Sequence, residues 1–409
     1  MRKYLVEIGG EMRIVLCILS FLLIFASVYG TVVTIGPNKE ILVDGKPFFP
    51  IMQWAQSRSR MAEQRSCGFN TYFGQGDNST ALEYANEARK HGLMVIVAFK
   101  EDEVSFVKEH PALLGWYYRD EPDMPDKTGK GPRIPIKESI SVYEKLKSLD
   151  KNHPMFLTLT TNYSKSIEGS KYDDVSFYKE YKKATDIIGF DIYPIYGNMK
   201  PECLWWVATG VTDLRKIVDD KLPIYAWIET NAGSKWITPS RMRHPYPYEI
   251  RAEVWMAIIR GAKAIGYFTH SWVEPSEIGN PNSKLKRGQS KYYTQFGVPP
   301  ENQKELGKIN TQITKLTPII CSADVIGKVK EEESGGGDVE ILVKEYEGKL
   351  YIFAVNMKRG ETNVKFKVEG LKKGTKIEVD EEKRDIVAEE GMFEDNFKEH
   401  AVHIYIISR

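Results

Sequence analysis

Between residues 48 and 269 short apolar runs alternate with longer polar segments, and the cycle repeats eight times, with runs at 48–54, 68–73, 93–99, 114–118, 155–159, 187–193, 224–228 and 264–269. Each run has strand length and is rich in Val, Ile, Phe, Tyr or Trp. Several intervening segments, such as 80–91 (TALEYANEARKH) and 248–261 (YEIRAEVWMAIIRG), carry apolar residues at the helical period. Strand then helix, eight times over, predicts a parallel (β/α)8 TIM barrel, an α/β fold. An open doubly wound sheet shows the same alternation with fewer strands, and no Gly-rich phosphate loop follows the first run.

The flanks read differently. Residues 31–49 predict an antiparallel hairpin, with turns at Gly36-Pro37-Asn38 and Asp44-Gly45. Past about Pro318 the helical period disappears, and alternating runs at 339–346, 350–356, 363–368, 376–379 and 402–407 predict a small C-terminal antiparallel β-sandwich. Expected boundaries are therefore 1–30, 31–317 and 318–409. A length of 409 residues suits one barrel plus one smaller domain.

Arg2, Lys3 and Arg13 precede an apolar run at 14–28 that ends in small residues before Gly30. This is the layout of a secretory signal peptide cut after Gly30, and it predicts a secreted protein. The run is shorter than the roughly 20 residues that span a bilayer comfortably. A membrane partner is expected only if the segment stays uncleaved. Cys17 falls in that segment, and Cys67, Cys203 and Cys321 remain, so at most one disulfide is available. The seven histidines are scattered and no Cys/His cluster has zinc spacing, so neither metal nor cofactor is expected. A net charge of +1 without a basic stripe argues against a nucleic-acid partner. Oligomeric state is not written in the chain.

Two apolar runs end on carboxylates: 113–123 (LLGWYYRDEPD) on Glu121 and 222–233 (LPIYAWIETNAG) on Glu229. A buried strand has no structural use for a carboxylate at its tip, where desolvation penalises the charge. On a parallel barrel both tips belong to the carboxyl-terminal face, where active groups sit. Two carboxyls on one face are the equipment of retaining glycoside hydrolysis, which needs them about 5–5.5 Å apart. Each has a plainer reading, a helix cap or ion pair for Glu121 and a salt bridge to Arg119, Arg251 or a lysine for Glu229.

Strand four ending in D-E-P and strand seven ending in Glu resemble clan A of the retaining glycoside hydrolases, the TIM-barrel superfamily of β-galactosidase- and β-glucanase-like enzymes. The hairpin DGKPFFPI, the G-F-N-T of strand two, the G-F-D-I-Y-P of strand six and the R-G-A-K-A-I-G-Y-F leading into strand eight extend the likeness over nearly the whole mature chain. The resemblance implies Glu121 as general acid/base and Glu229 as nucleophile. It implies Tyr193 as a hydrogen-bond donor to that nucleophile, the alternative being a core tyrosine. Asp120 stands where most members carry an asparagine that bonds the sugar 2-hydroxyl, and the clan's arginine near the end of strand two is missing. Asn70, in G-F-N-T, is a further substrate contact on this reading. Trp272, in THSW, resembles the platform under the sugar. His270 is either a sugar contact or a satisfied structural histidine, and Trp54 and Trp236 are candidate subsite walls. The implied function is a secreted β-glycosidase acting on β-linked oligo- or polysaccharides. The competing class is a non-catalytic glycan-binding barrel, which Asp120 and the absent arginine favour.

Overall fold

A computed structural model describes residues 30–129 and 131–408. Apart from Gly30, the predicted signal peptide lies outside the described residues. The chain opens with a three-stranded antiparallel sheet of β1 (Val33–Ile35), β2 (Ile41–Val43) and β3 (Lys46–Phe48). Asp44 and Gly45 make its second turn at φ of 50° and 76°, the positive values a two-residue hairpin of matching twist demands. Val33 and Ile41 pack into the same cluster as Met52, Met94 and Ile187. The sheet thereby plugs one end of the barrel.

That barrel is closed by eight parallel strands: β4 (Ile51–Gln56), β5 (Thr71–Gln75), β6 (Met94–Ala98), β7 (Leu113–Tyr117), β8 (Met155–Thr160), β9 (Ile187–Asp191), β10 (Ile224–Glu229) and β11 (Ala262–Phe268). Each overlaps one predicted run. Helices α1 (Ala81–Lys90), α2 (Val104–Val107), α3 (Ile136–Leu149), α4 (Trp206–Ile217), α5 (Pro247–Ile259) and α6 (Pro300–Ile320) follow β5, β6, β7, β9, β10 and β11. α1 starts at Thr80, whose hydroxyl accepts from the Glu83 N–H while the Glu83 carboxylate accepts from the Thr80 N–H, a capping box. After β4 and β8 the expected helix is replaced by 3-10 segments, Arg58–Arg60 with Glu63–Cys67, and Ser176–Lys183.

Aromatic rings fill the barrel interior because two inward positions carry no side chain. A Cβ on Gly189 would lie 2.3 Å from the Tyr225 ring, and one on Gly266 2.2 Å from the Trp227 ring. Gly266→Ala is therefore expected to overpack a rigid layer, at a cost of about 1–3 kcal/mol, and to lower Tm by ~5 °C. Thermal unfolding checks this; an unchanged Tm would mean the rings can yield.

The C-terminal domain has the predicted sandwich form, a three-stranded sheet (β12, Val329–Gly335; β15, Thr362–Val368; β18, Met392–Phe397) against a five-stranded one (β13, Val339–Tyr346; β14, Lys349–Asn356; β16, Lys376–Val379; β17, Arg384–Val387; β19, Val402–Ser408). The boundary expected at 317/318 falls inside α6, since Pro318 sits in its last turn. Trp255 on α5 stacks on Phe353 of β14 at 5.5 Å and joins the two domains. Cys67, Cys203 and Cys321 are free thiols. Among the described residues no helix is long and apolar enough to cross a membrane.

Candidate active site

β7 ends at Tyr117, and the chain continues to Glu121, which is held at φ 43°. A non-glycine residue in the left-handed region is uncommon and strained, so the surroundings must over-determine it. Asp123 does this from two residues away. Its buried carboxylate accepts from the Thr160 N–H (2.9 Å), the Thr160 hydroxyl (2.6 Å) and the Tyr178 phenol (2.8 Å), pinning the turn to the tip of β8. Burial pushes Asp123 up to about 6, with those hydrogen bonds opposing it. Arg133 donates to the Asp120 carbonyl and places Nη2 4.0 Å from Glu121 Oε2.

The Glu121 carboxyl is in hydrogen-bond contact with Asp191, the last residue of β9. Strand parity explains why Asp191 arrives there: Ile187 and Gly189 face the barrel interior, so Asp191 continues the inward series at the carboxyl end. Asp120 is pushed up to about 7 by burial and by the charge of Glu121. Burial and the neighbouring Glu121 hold Asp191 well above the usual carboxylate range. Carboxyls crowded in a poorly solvated site favour their neutral forms, so Asp191 is biased towards the protonated acid. Glu121 and Asp191 open into a cleft of ≈ 300 Å³ lined also by Asn162, Tyr193, Trp206 and Trp236.

Glu229 is elsewhere. It ends β10 as expected but is 0 % exposed, and it does not line this cleft. Its Oε1 accepts from the Ile195 N–H at 2.8 Å and its Oε2 from the Tyr196 N–H. Its other neighbour is the carboxyl of Glu253, on the covering helix α5. The expectation that Glu121 and Glu229 converge on one cleft is thus corrected: the loop after β9 closes over Glu229, and Asp191 meets Glu121. Burial pushes Glu229 up to about 7, with the Glu253 carboxyl and the two N–H groups opposing it, and burial followed by the Glu229 charge drives Glu253 well above its ordinary value. No N–H or hydroxyl among the described residues donates to either oxygen of Glu253, so the pair must keep a proton.

This pair makes stability fall as pH rises. An unfolded glutamate ionises at about 4.3, so between there and about 7 the folded chain holds protons the unfolded chain has released. Wild-type Tm is expected to drop by several degrees from pH 5 to pH 8, and Glu253→Gln, whose amide can donate to Glu229, to flatten that slope. Parallel slopes in a thermal-shift pH series would disprove the shared proton.

The remaining predicted contacts separate into two groups. Trp236 lies in the cleft wall and is 51 % exposed. Tyr193 also lines the cleft, beside Asp191, Asp120 and Glu121; the donors to Glu229 are backbone N–H groups rather than the predicted phenol. Trp272 stacks near Phe268 at 6.0 Å and has the Lys235 ammonium 4.8 Å from its ring centroid, so a cation already attends the presumed platform. His270 is a satisfied structural histidine. Its Nε2 lies 3.2 Å from the Trp54 carbonyl and must carry the hydrogen, leaving Nδ1 to accept from the Tyr293 phenol at 3.1 Å. Burial lowers it to about 4, so it stays neutral. Trp54 lies within β4 rather than in a loop, and packs on Phe73 and Trp227, both at 5.3 Å. Asn70 precedes β5 at the opposite end of the barrel, where its amide bonds the Ile51 N–H (2.8 Å) and the Phe49 carbonyl (3.0 Å); this corrects its expected role as a sugar contact.

Sequence reasoning passed over Asp191 as a site residue, although strand parity in G-F-D-I-Y-P carried the signal. Asn162 and Trp206 had none, since one lies in the turn after β8 and the other at the first position of α4. Among the described residues no group of three or more His, Cys, Asp or Glu side chains is arranged to hold a metal ion.

No protein-family model matches the chain, and no curated protein matches it in sequence. Solved structures do. The chain is similar to an α-amylase from Geobacillus thermoleovorans complexed with acarbose, at 11% identity and a TM-score of 0.52, over 88% of this chain and 98% of that one. It is also similar to a structure described as a glycoside hydrolase (11% identity, TM-score 0.54, 92% and 96% covered) and to AmyP in complex with maltose (9%, 0.50, 88% and 96%). At such identity the likeness is one of fold, and it extends over the barrel and the C-terminal β domain together.

Proposed function

We propose that the protein is a secreted retaining glycosidase that hydrolyses β-linked oligo- or polysaccharides in this cleft, without a metal or organic cofactor. The observation that carries the reading is the Glu121–Asp191 carboxyl pair, with Glu121 in a strained conformation at the carboxyl end of the barrel and Trp236 and Tyr193 beside it. Carboxyls in contact need to part only slightly to reach the 5–5.5 Å of a retaining pair, and much further for an inverting one. With its proton, Asp191 is the donor to the leaving oxygen. Glu121, near Arg133, is the carboxylate that attacks the anomeric carbon. Water then hydrolyses the glycosyl-enzyme, with Asp191 acting as base. This assigns Glu121 the role opposite to the one the resemblance implies, and gives Asp191 a place ahead of Glu229.

β-Linkage rests on the D-E-P and G-F-D-I-Y-P resemblance. The sugar complexes among the similar structures hold maltose and acarbose, so the decisive panel spans both linkages. Residues 31–409 are expected to release reducing sugar from at least one of β-glucan, β-galactan, β-mannan or xylan and not from starch, while Glu121→Gln releases none. Release from starch alone would overturn the β-specificity. Silence across the panel, with sugar binding retained, would favour the glycan-binding barrel.

A further inference from the structure

β8 stands between β7 and β9 in the barrel, so the Glu121 and Asp191 carboxyls meet beside its carboxyl end. The turn that follows β8 is tied to both neighbours. The Thr160 hydroxyl donates to Asp123, two residues from Glu121, at 2.6 Å, and the Thr161 hydroxyl donates to the Asp191 carbonyl at 3.3 Å. Asn162 comes next and lines the same cleft, although it is only 6 % exposed. Burying an amide costs free energy unless its polar atoms find partners, so a donor left over at a cleft wall marks a place for a ligand.

The orientation of this amide is fixed by what its neighbours can do. The Lys171 N–H can only donate, and it faces Oδ1 at 3.0 Å. The Thr160 hydroxyl has given its hydrogen to Asp123, so at 2.7 Å it accepts from Nδ2. The Ser170 hydroxyl donates to the Asn162 carbonyl at 2.7 Å and holds the backbone beneath. An amide nitrogen carries two hydrogens. Thr160 takes one, and the other has no acceptor among the described residues. A neutral donor held in place beside two acidic groups suits a sugar hydroxyl, which accepts from the amide and can donate onward to a carboxylate.

We propose that Asn162 is a substrate-binding residue that donates its second amide hydrogen to one hydroxyl oxygen of the sugar held beside Glu121 and Asp191, and so selects glycans that carry that hydroxyl. Its effect on turnover rests on the hydrolase reading above, but its contact with the sugar does not. A wall built to hydrogen-bond a hydroxyl discriminates strongly against the sugar that lacks it.

The test crosses the residue against each hydroxyl. kcat/KM is measured for wild type, Asn162→Ala and Ser170→Ala on the 4-nitrophenyl β-glycosides of glucose, galactose, mannose and xylose, and on the monodeoxy forms of whichever is turned over. Asn162→Ala should lower kcat/KM by about tenfold on the parent sugar and by less than about twofold on one monodeoxy form, where the bond is already gone. Ser170→Ala, which loosens the same turn without touching the amide, should lower all forms alike. If Asn162→Ala loses its fold in thermal unfolding, Asn162→Asp keeps the acceptor for the Lys171 N–H and carries the comparison. An equal loss on every form, or no loss on the parent, would overturn the contact while leaving the hydrolase reading in place. If no glycoside is hydrolysed, the same comparison is read as Kd by NMR titration of the methyl β-glycosides. A loss on the parent that vanishes on one deoxy form would then keep the contact and remove the hydrolase reading. Equal affinities of wild type and variant, or no binding, would remove the contact.

Discussion

Asp191→Asn is expected to lower kcat by about 10³-fold on a substrate with a poor leaving group, and far less on an activated aryl glycoside that needs no proton. Glu121→Ala should abolish turnover on both. Azide separates the roles. In Asp191→Ala it should intercept the glycosyl-enzyme and give a glycosyl azide of retained configuration. In Glu121→Ala it should fill the cavity of the missing nucleophile and give the inverted azide. NMR of the products reads the outcome directly, and the opposite pattern would restore Glu121 to the acid/base role. The physical basis is the proton: burial and the adjacent Glu121 keep it on Asp191, while Arg133 stands on the Glu121 side.

Glu229→Ala is expected to destabilise the fold by about 3–5 kcal/mol, because it strands the Glu253 carboxyl and leaves the N–H groups of Ile195 and Tyr196 without acceptor. For a chain of this size that corresponds to a Tm loss of roughly 10 °C. Glu229→Gln keeps the shape and one of the two acceptor oxygens, with the amide set against the other backbone N–H, so it should cost less stability than the alanine change and hold activity within about tenfold. A true nucleophile cannot survive that change, since an amide oxygen does not form the glycosyl-enzyme. Loss of all activity in a stably folded Glu229→Gln, measured by thermal unfolding beside kinetics, would return the nucleophile to β10.

The barrel was legible because each strand buries both faces and so reads as an unbroken apolar run, IYAWIE in β10 or MFLTLT in β8. In the C-terminal domain β13, β14, β15, β16 and β19 were legible as apolar or alternating runs, whereas β12, β17 and β18 were not: VKEEESG of β12 is buried at Val329 alone and exposed throughout the rest, and the short β17 has no fully buried residue. α6 did carry one, with Leu306, Ile309, Ile313, Leu316 and Ile320 buried, but Pro318 near its end looked like a boundary.

What the sequence determined by itself is local and periodic: which segments bury two faces, which bury one, and that Glu121 and Glu229 stand at strand ends. Burial patterns follow from side-chain chemistry at fixed spacing, so they survive in one dimension. Which carboxyls meet was decided by the tertiary structure alone. Glu121 lies on the β7–α3 connection and Asp191 ends β9, far apart in sequence, and the backbone of the loop after β9 takes both oxygens of Glu229. Backbone N–H groups leave no mark in a sequence, so neither the seal over Glu229 nor the meeting of Asp191 with Glu121 could be read before the chain was folded.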